Sequence, residues 1–420
     1  MRSLSRAVAL CGALVASALL SSTAAADELV PALRVQTGIT ALRSLQGDSN
    51  DYFVAATPEL SYFFGSPRTQ AGITYSFTGS LNTELPNGIA NGLGLTLSHD
   101  LSERTRLLLG AEALQASIGN YLLVRRGAAT RIGGVPALST QLVTLTTTQG
   151  LSHEISPVVR VSESLAGTYV TSLDPDVELN NYVASALFGI ERSWEFDALG
   201  AELGVQYAHT IFPPIDSRVA TASLGPTWDH DLTRTWSTSV SIAAAVAVSP
   251  DPDTEPRLTP AGRASILYTA DGSGIQASYA GGFEPNLLLG TLLQSHQAGL
   301  RAFTPISNER RILLSVSGGY LRAKTLDLRT NGAFDNEFDA VLHDGEISWG
   351  ATDFLNLFVR YQFIGQSSGD GPGATPALVR HGGIFGIELF AGRRPERPRV
   401  QTTFPQRVDR TDAPPPPVRR

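Results

Sequence analysis

The chain has 420 residues, 42% of them hydrophobic and only 17% charged, with a net charge of −7. The ends are basic: Arg2 and Arg6 give +2 to residues 1–26, and eight arginines against Glu396, Asp409 and Asp412 give +5 to residues 392–420, so −14 falls on residues 27–391. An acidic body argues against a nucleic-acid binder, and the lack of any apolar run of 18 residues beyond residue 26 excludes a membrane-spanning helix.

Residues 1–26 have the form of a signal peptide. Arg2 and Arg6 make a basic start, Ala7–Leu20 is a short apolar run, and "TAAA" before Asp27 offers a cleavage site. Cys11 and Met1 are the only cysteine and methionine. An exported domain of this length without disulfides fits a bacterial envelope better than a eukaryotic secreted setting.

From residue 30 the chain alternates. In "QAGITYSFTGS" Ala71, Ile73, Tyr75 and Phe77 share one phase, and Gln70, Gly72, Thr74, Ser76 and Thr78 the other. "ALGAELGVQYAH", with Val205 and Tyr207, and "FLNLFVRYQF", with Leu357 and Val359, repeat the pattern. Period two means β-strand, apolar on one side and polar on the other. About eighteen such segments (sixteen on a stricter count) lie between residues 30 and 391, each long enough for a tilted bilayer crossing. Alternate connections are short, near 67, 102, 155, 197, 232, 271, 307 and 352. The others, such as 118–139 and "SPDPDTEPRLTP", are longer. The expectation is an all-β fold: one closed, antiparallel, up-and-down transmembrane barrel over residues 27–391 in the bacterial outer membrane. Ile73, Tyr75, Val205, Tyr207, Leu357 and Val359 then face lipid. Two places fit poorly: Glu163 falls in the apolar phase, and residues 338–350 switch phase near Asp344-Gly345.

A phrase recurs three times: "LSHDLSERTR" from Leu97, "LSHEISPVVR" from Leu151 and "WDHDLTRTWS" from Trp228. Each copy lies where a descending strand meets a short turn. His99, His153 and His230 take the lipid-facing phase at the membrane boundary, Asp100, Glu154 and Asp231 the other. Ser102, Ser156 and Thr233 are placed to bond turn backbone. A zinc site would need ligands converging from one place, and no nucleophile motif such as G-x-S-x-G or H-E-x-x-H appears. The phrase reads as architecture. Neither enzyme nor cofactor nor metal is expected. His209, His296, His343 and His381 remain scattered.

An eighteen-strand barrel is too wide for side chains to fill. Its expected lining is Ser, Thr, Gly, Gln and Asn, with Arg106, Arg160 and Arg360 against Glu112 and Glu202. In 118–139, Arg125, Arg126 and Arg131 are expected at the mouth, where they would focus the field on an anionic permeant.

"RHGGIFGIELF" resembles the terminal targeting strand of outer-membrane proteins. The resemblance implies that Arg380, Gly382, Phe385, Ile387 and Phe390 are read by the barrel-insertion machinery. The Pro- and Arg-rich residues 392–420 cannot build a strand or core. They are expected in the periplasm, as a solvated stub or as a tether to a polysaccharide-export protein or the cell wall. In strand count and turn pattern the barrel resembles the eighteen-stranded polysaccharide-secretion porins, including the alginate-type exporters. That resemblance implies a conduit for exopolysaccharide. The alternatives are a passive porin for small polar solutes or sugars, and a non-conducting structural barrel.

Overall fold

Period-two alternation becomes, in the computed structural model, eighteen antiparallel strands and no helix among the described residues. These residues are 28–391 apart from 45–46, 67, 85–86, 118–139, 175–176, 213–214, 251–253, 271, 287–290, 308–310, 327–336 and 368–376. The strands are β1 (Glu28–Ser44), β2 (Gly47–Ser66), β3 (Thr69–Asn82), β4 (Gly88–Ser102), β5 (Thr105–Ser117), β6 (Gln141–Ser156), β7 (Val159–Ser172), β8 (Asn180–Ser193) and β9 (Asp197–Phe212). They continue as β10 (Ile215–Asp231), β11 (Trp236–Val248), β12 (Arg257–Ala270), β13 (Ser273–Asn286), β14 (Thr291–Pro305), β15 (Ile312–Leu326), β16 (Glu337–Thr352), β17 (Leu355–Gln366) and β18 (Leu378–Phe390).

Each strand pairs with its sequence neighbours, and β1 pairs with both β2 and β18, so the sheet closes on itself. Closure removes every free edge and satisfies the backbone without water, as a membrane crossing requires. Residues 1–26, where a signal peptide is expected, and residues 392–420 lie outside the described residues.

The two phases separate as the alternation requires. Ile73, Tyr75, Val205, Tyr207 and Val359 are between 40% and 57% exposed on the outer wall. Leu357 shares their phase, since it lies opposite Ile387 and Trp349. The outer wall is a belt of Leu, Val, Ile and aromatic side chains, so the chain is an outer-membrane β-barrel. Short turns, such as those at 103–104, 157–158 and 353–354, gather at the end that also holds Glu28 and Phe390. Short turns mark the periplasmic end of such barrels.

The suspected phase switch at Asp344-Gly345 is absent. The β16 ladders run through both residues without a break and slip only between Gly350 and Thr352. The sequence misled there because Phe338 and Ala340, though apolar, point inward and are buried. At the outer end of this barrel, apolar no longer means lipid-facing. Glu163, by contrast, does face outward, and the register around it is regular.

Two connections recur in every copy of the His-acid-Ser/Thr phrase, and a third in two of the three copies. The histidine bonds back to the first residue of the preceding strand: His99 Nδ1 to Thr69 Oγ1, His153 Nδ1 to Thr105 Oγ1, and His230 Nδ1 to Asp197 Oδ1, each at 2.8 Å. The acid points inward, and in two copies it meets the arginine six residues on. Arg106–Asp100 spans 3.4 Å and Arg160–Glu154 spans 3.1 Å. In the third copy Ser237 stands where the arginine would be. The hydroxyl accepts from turn N–H groups, Ser102 from Arg104, Ser156 from Val159 and Thr233 from Trp236. The phrase is therefore a hairpin fastener.

A second device, unseen in the sequence, marks the outer end. On five ascending strands a lipid-facing tyrosine reaches the polar side chain opposite the position two residues further on. Tyr75 donates to Asn91 (3.2 Å) and Tyr169 to Asn180 (3.0 Å). Tyr279 bonds His296 and Tyr361 bonds His381, both at 2.8 Å, and Tyr320 bonds Asp339. Tyr182 stacks between Tyr169 and His209. Three of the scattered histidines, His209, His296 and His381, thus belong to the outer aromatic girdle.

Candidate functional site: the lumen wall

The inner wall carries the polar phase. Arg106, Arg160, Arg360, Glu112 and Glu202 all project inward, by register with inward neighbours. Their partners differ from the expected opposition of three arginines to two glutamates. Arg106 and Arg160 pair with the acids of their own hairpins at the periplasmic mouth, with side chains roughly half exposed to the lumen. Arg360 pairs with Glu346, to which its Nε donates at 2.8 Å, and is 2% exposed. Glu202 pairs with Arg263. The sequence does not show Arg263 as the partner because two strands, β10 and β11, lie between β9 and β12, and the pair forms only across the curved wall. Arg125, Arg126 and Arg131 lie outside the described residues.

The wall where the barrel closes is the most densely furnished. Arg34 of β1 forms an ion pair with Glu388 directly opposite on β18, and Glu388 also accepts from Asn356 at 3.0 Å. The Phe358 ring sits between two guanidinium groups, 5.9 Å from Arg34 Cζ and 5.3 Å from Arg360 Cζ. Its ring lies over Gly386, where a Cβ would fall 2.2 Å from it. Phe53 covers Gly38 of β1 in the same way, at 2.9 Å. A bare glycine opposite an inward ring lets the ring lie flat across the ladder. Phe53, Phe358, Ala55 and Ile384 form one buried cluster across the seam. Of the expected insertion residues, Phe385 and Ile387 face lipid and Arg380 and Gly382 face inward, and the Phe390 N–H donates to Phe354 at 2.8 Å.

Along the axis the wall changes character. Toward the outer end the inward residues are largely apolar and buried: Ala90, Leu114 and Ala116; Val219 and Ala247, which Leu292 at the start of β14 also packs against; Leu293, Leu321, Ala323 and Phe338. Toward the periplasmic end they are hydroxyl-rich and open, as with Ser98, Ser152, Ser162 and Ser237. The inward side chains are therefore less buried on the periplasmic side. Five ion pairs among the described residues tie part of the lumen's charge along the wall, while Arg301, inward by register with Gln276 and exposed, meets the lumen beside the hydroxyl groups.

No family model matches the chain, and no curated protein matches it. Among solved structures it is similar to Pseudomonas aeruginosa OccK2 (OpdF), with TM-score 0.46 and 11% identity over 86% of this chain and 98% of that one. It is also similar to Pseudomonas aeruginosa OpdO, with TM-score 0.45 and 13% identity over 86% and 97%. The alcaligin outer-membrane receptor FauA from Bordetella pertussis matches at TM-score 0.40 and 11% identity over 86% and 76%. These likenesses are of the barrel fold alone. They lend the resemblance to polysaccharide-secretion barrels no support.

Proposed function

We propose that the barrel is a passive diffusion channel for small polar solutes rather than a conduit for a polysaccharide. The observation that carries this reading is the hydroxyl-rich periplasmic half of the lumen, where several of the charges are paired along the wall. Hydroxyl walls offer weak, exchangeable hydrogen bonds, which suits a solute that must enter and leave. A sugar polymer would gain most from exposed aromatic faces to stack on; of the inward rings, Phe53, Phe338 and Phe358 are each only 2% exposed, and Phe63 and Phe303 are only partly exposed, each lying over a glycine of a neighbouring strand. The acidic body favours cations slightly over anions.

A bilayer measurement tests this. The purified barrel is expected to conduct in a planar bilayer with a linear current–voltage relation and a mild cation preference. Glu202→Gln removes the partner of Arg263 and leaves a positive charge in the lumen. A unit charge about 10 Å from the permeant in water is worth roughly 0.4 kcal/mol, or about twofold. The reversal potential in a salt gradient is therefore expected to shift toward anions by about that factor, most at low ionic strength. An unchanged ratio would remove the Glu202–Arg263 pair from the permeation path. A second reading, a barrel that does not conduct, draws on the burial of the inward residues at the outer end. Silence in the bilayer from a folded barrel would favour it.

A further inference from the structure

We infer that the lipid-facing surface of β6 and β7 is an interface at which a second copy of this barrel docks across a two-fold axis, with Glu163 of each copy meeting Gln149 of the other. Glu163 faces the membrane: it lies opposite Leu151 and Phe188, in the phase of the exposed Phe188 and Leu145. The other outward acids, Asp48, Asp197, Asp216, Glu337 and Asp339, all fall within the first three residues of their strands, where water or headgroups reach them. Glu163 is the fifth residue of β7, one outward position above the level of His153. Gln149 of β6 shares its face as a diagonal neighbour, since it lies opposite Leu165. No hydrogen bond to another described residue satisfies either side chain.

A carboxyl and an amide left without partners toward hydrocarbon are costly. Their chemistry is complementary, because the amide donates and the carboxyl accepts. A two-fold axis between the two strands places Glu163 of each copy on Gln149 of the other, so one contact is made twice, as a self-complementary interface requires. The surrounding surface allows close approach. The outward row next to them, Ala111, Thr147, Gly167 and Ala184, is made of small residues, and Ala186 continues it beside Leu165. Small residues let membrane-embedded backbones come near each other. The inference is independent of whether the barrel conducts.

The test uses the full barrel in phospholipid nanodiscs large enough for two copies. Mass photometry counts barrels per disc, and the gel shift on heating confirms folding. The wild type is expected to form a two-barrel species. Gln149→Glu sets carboxylate against carboxylate and is expected to abolish that species. The exchange Gln149→Glu with Glu163→Gln rebuilds the pair across the axis and is expected to restore it. Single barrels in the wild type overturn the inference. So does a pair that survives Gln149→Glu, or an exchange that folds but stays single.

Discussion

Glu388→Ala is expected to weaken the barrel more than any other single side-chain deletion on the lumen wall, by about 3–5 kcal/mol. The residue is 4% exposed and faces Arg34 across the junction of the last strand with the first. Removing it leaves the half-buried Arg34 guanidinium, beside the Phe358 ring, without its counter-charge. It also removes the acceptor for Asn356. The position matters as much as the pair, because the β1–β18 ladder is the contact that turns an open sheet into a barrel. A guanidinium titration of the barrel in phospholipid vesicles, followed by tryptophan emission, reads the loss. Glu388→Gln keeps the hydrogen bonding and is expected to lose less. Equal midpoints for the wild type and Glu388→Ala would show that the pair does not hold the seam.

Val205→Arg is expected to cost about 2–4 kcal/mol in the same titration, the penalty for a cation at the depth of the hydrocarbon on a lipid-facing strand. Val205 lies mid-strand in β9 on the outer wall. Ser162→Arg, on the open lumen face of β7, adds the same charge where water reaches it and is expected to change stability by less than about 0.5 kcal/mol. The contrast depends on the bilayer. In detergent too thin to bury Val205 the difference should shrink. A reversed order would mean that inside and outside have been exchanged.

Much of this fold was legible because a closed barrel leaves a simple imprint. Every strand pairs with the next, so the alternation of "QAGITYSFTGS" or "ALGAELGVQYAH" determines the face of each residue, and the short turns fix the count. What the alternation could not show was contact between residues remote in sequence. The Arg34–Glu388 and Arg263–Glu202 pairs depend on closure and curvature. The apolar inner wall at the outer end reversed the meaning of polarity around Phe338 and Ala340. Two other features were in plain view. The arginine six residues after Asp100 and after Glu154 sits in the repeated phrase itself, and a hairpin model with one bulge places it opposite the acid. The tyrosines of the ascending strands could have been matched to Asn91, Asn180, His296, Asp339 and His381 by the same hairpin arithmetic.

The central claim is that one phase of each strand lines a water-filled path and the other faces lipid. Cysteine substitution along β9 tests it most directly, since Cys11, the chain's only cysteine, precedes the barrel. Single cysteines at Glu202, Leu203, Gly204 and Val205 are placed in barrels held in a planar bilayer, and current is recorded while a charged, water-soluble methanethiosulfonate is added. The account predicts stepwise current changes for Glu202→Cys and Gly204→Cys, and steady current for Leu203→Cys and Val205→Cys. Steps at the odd positions, or at none of the four in a conducting barrel, would contradict it.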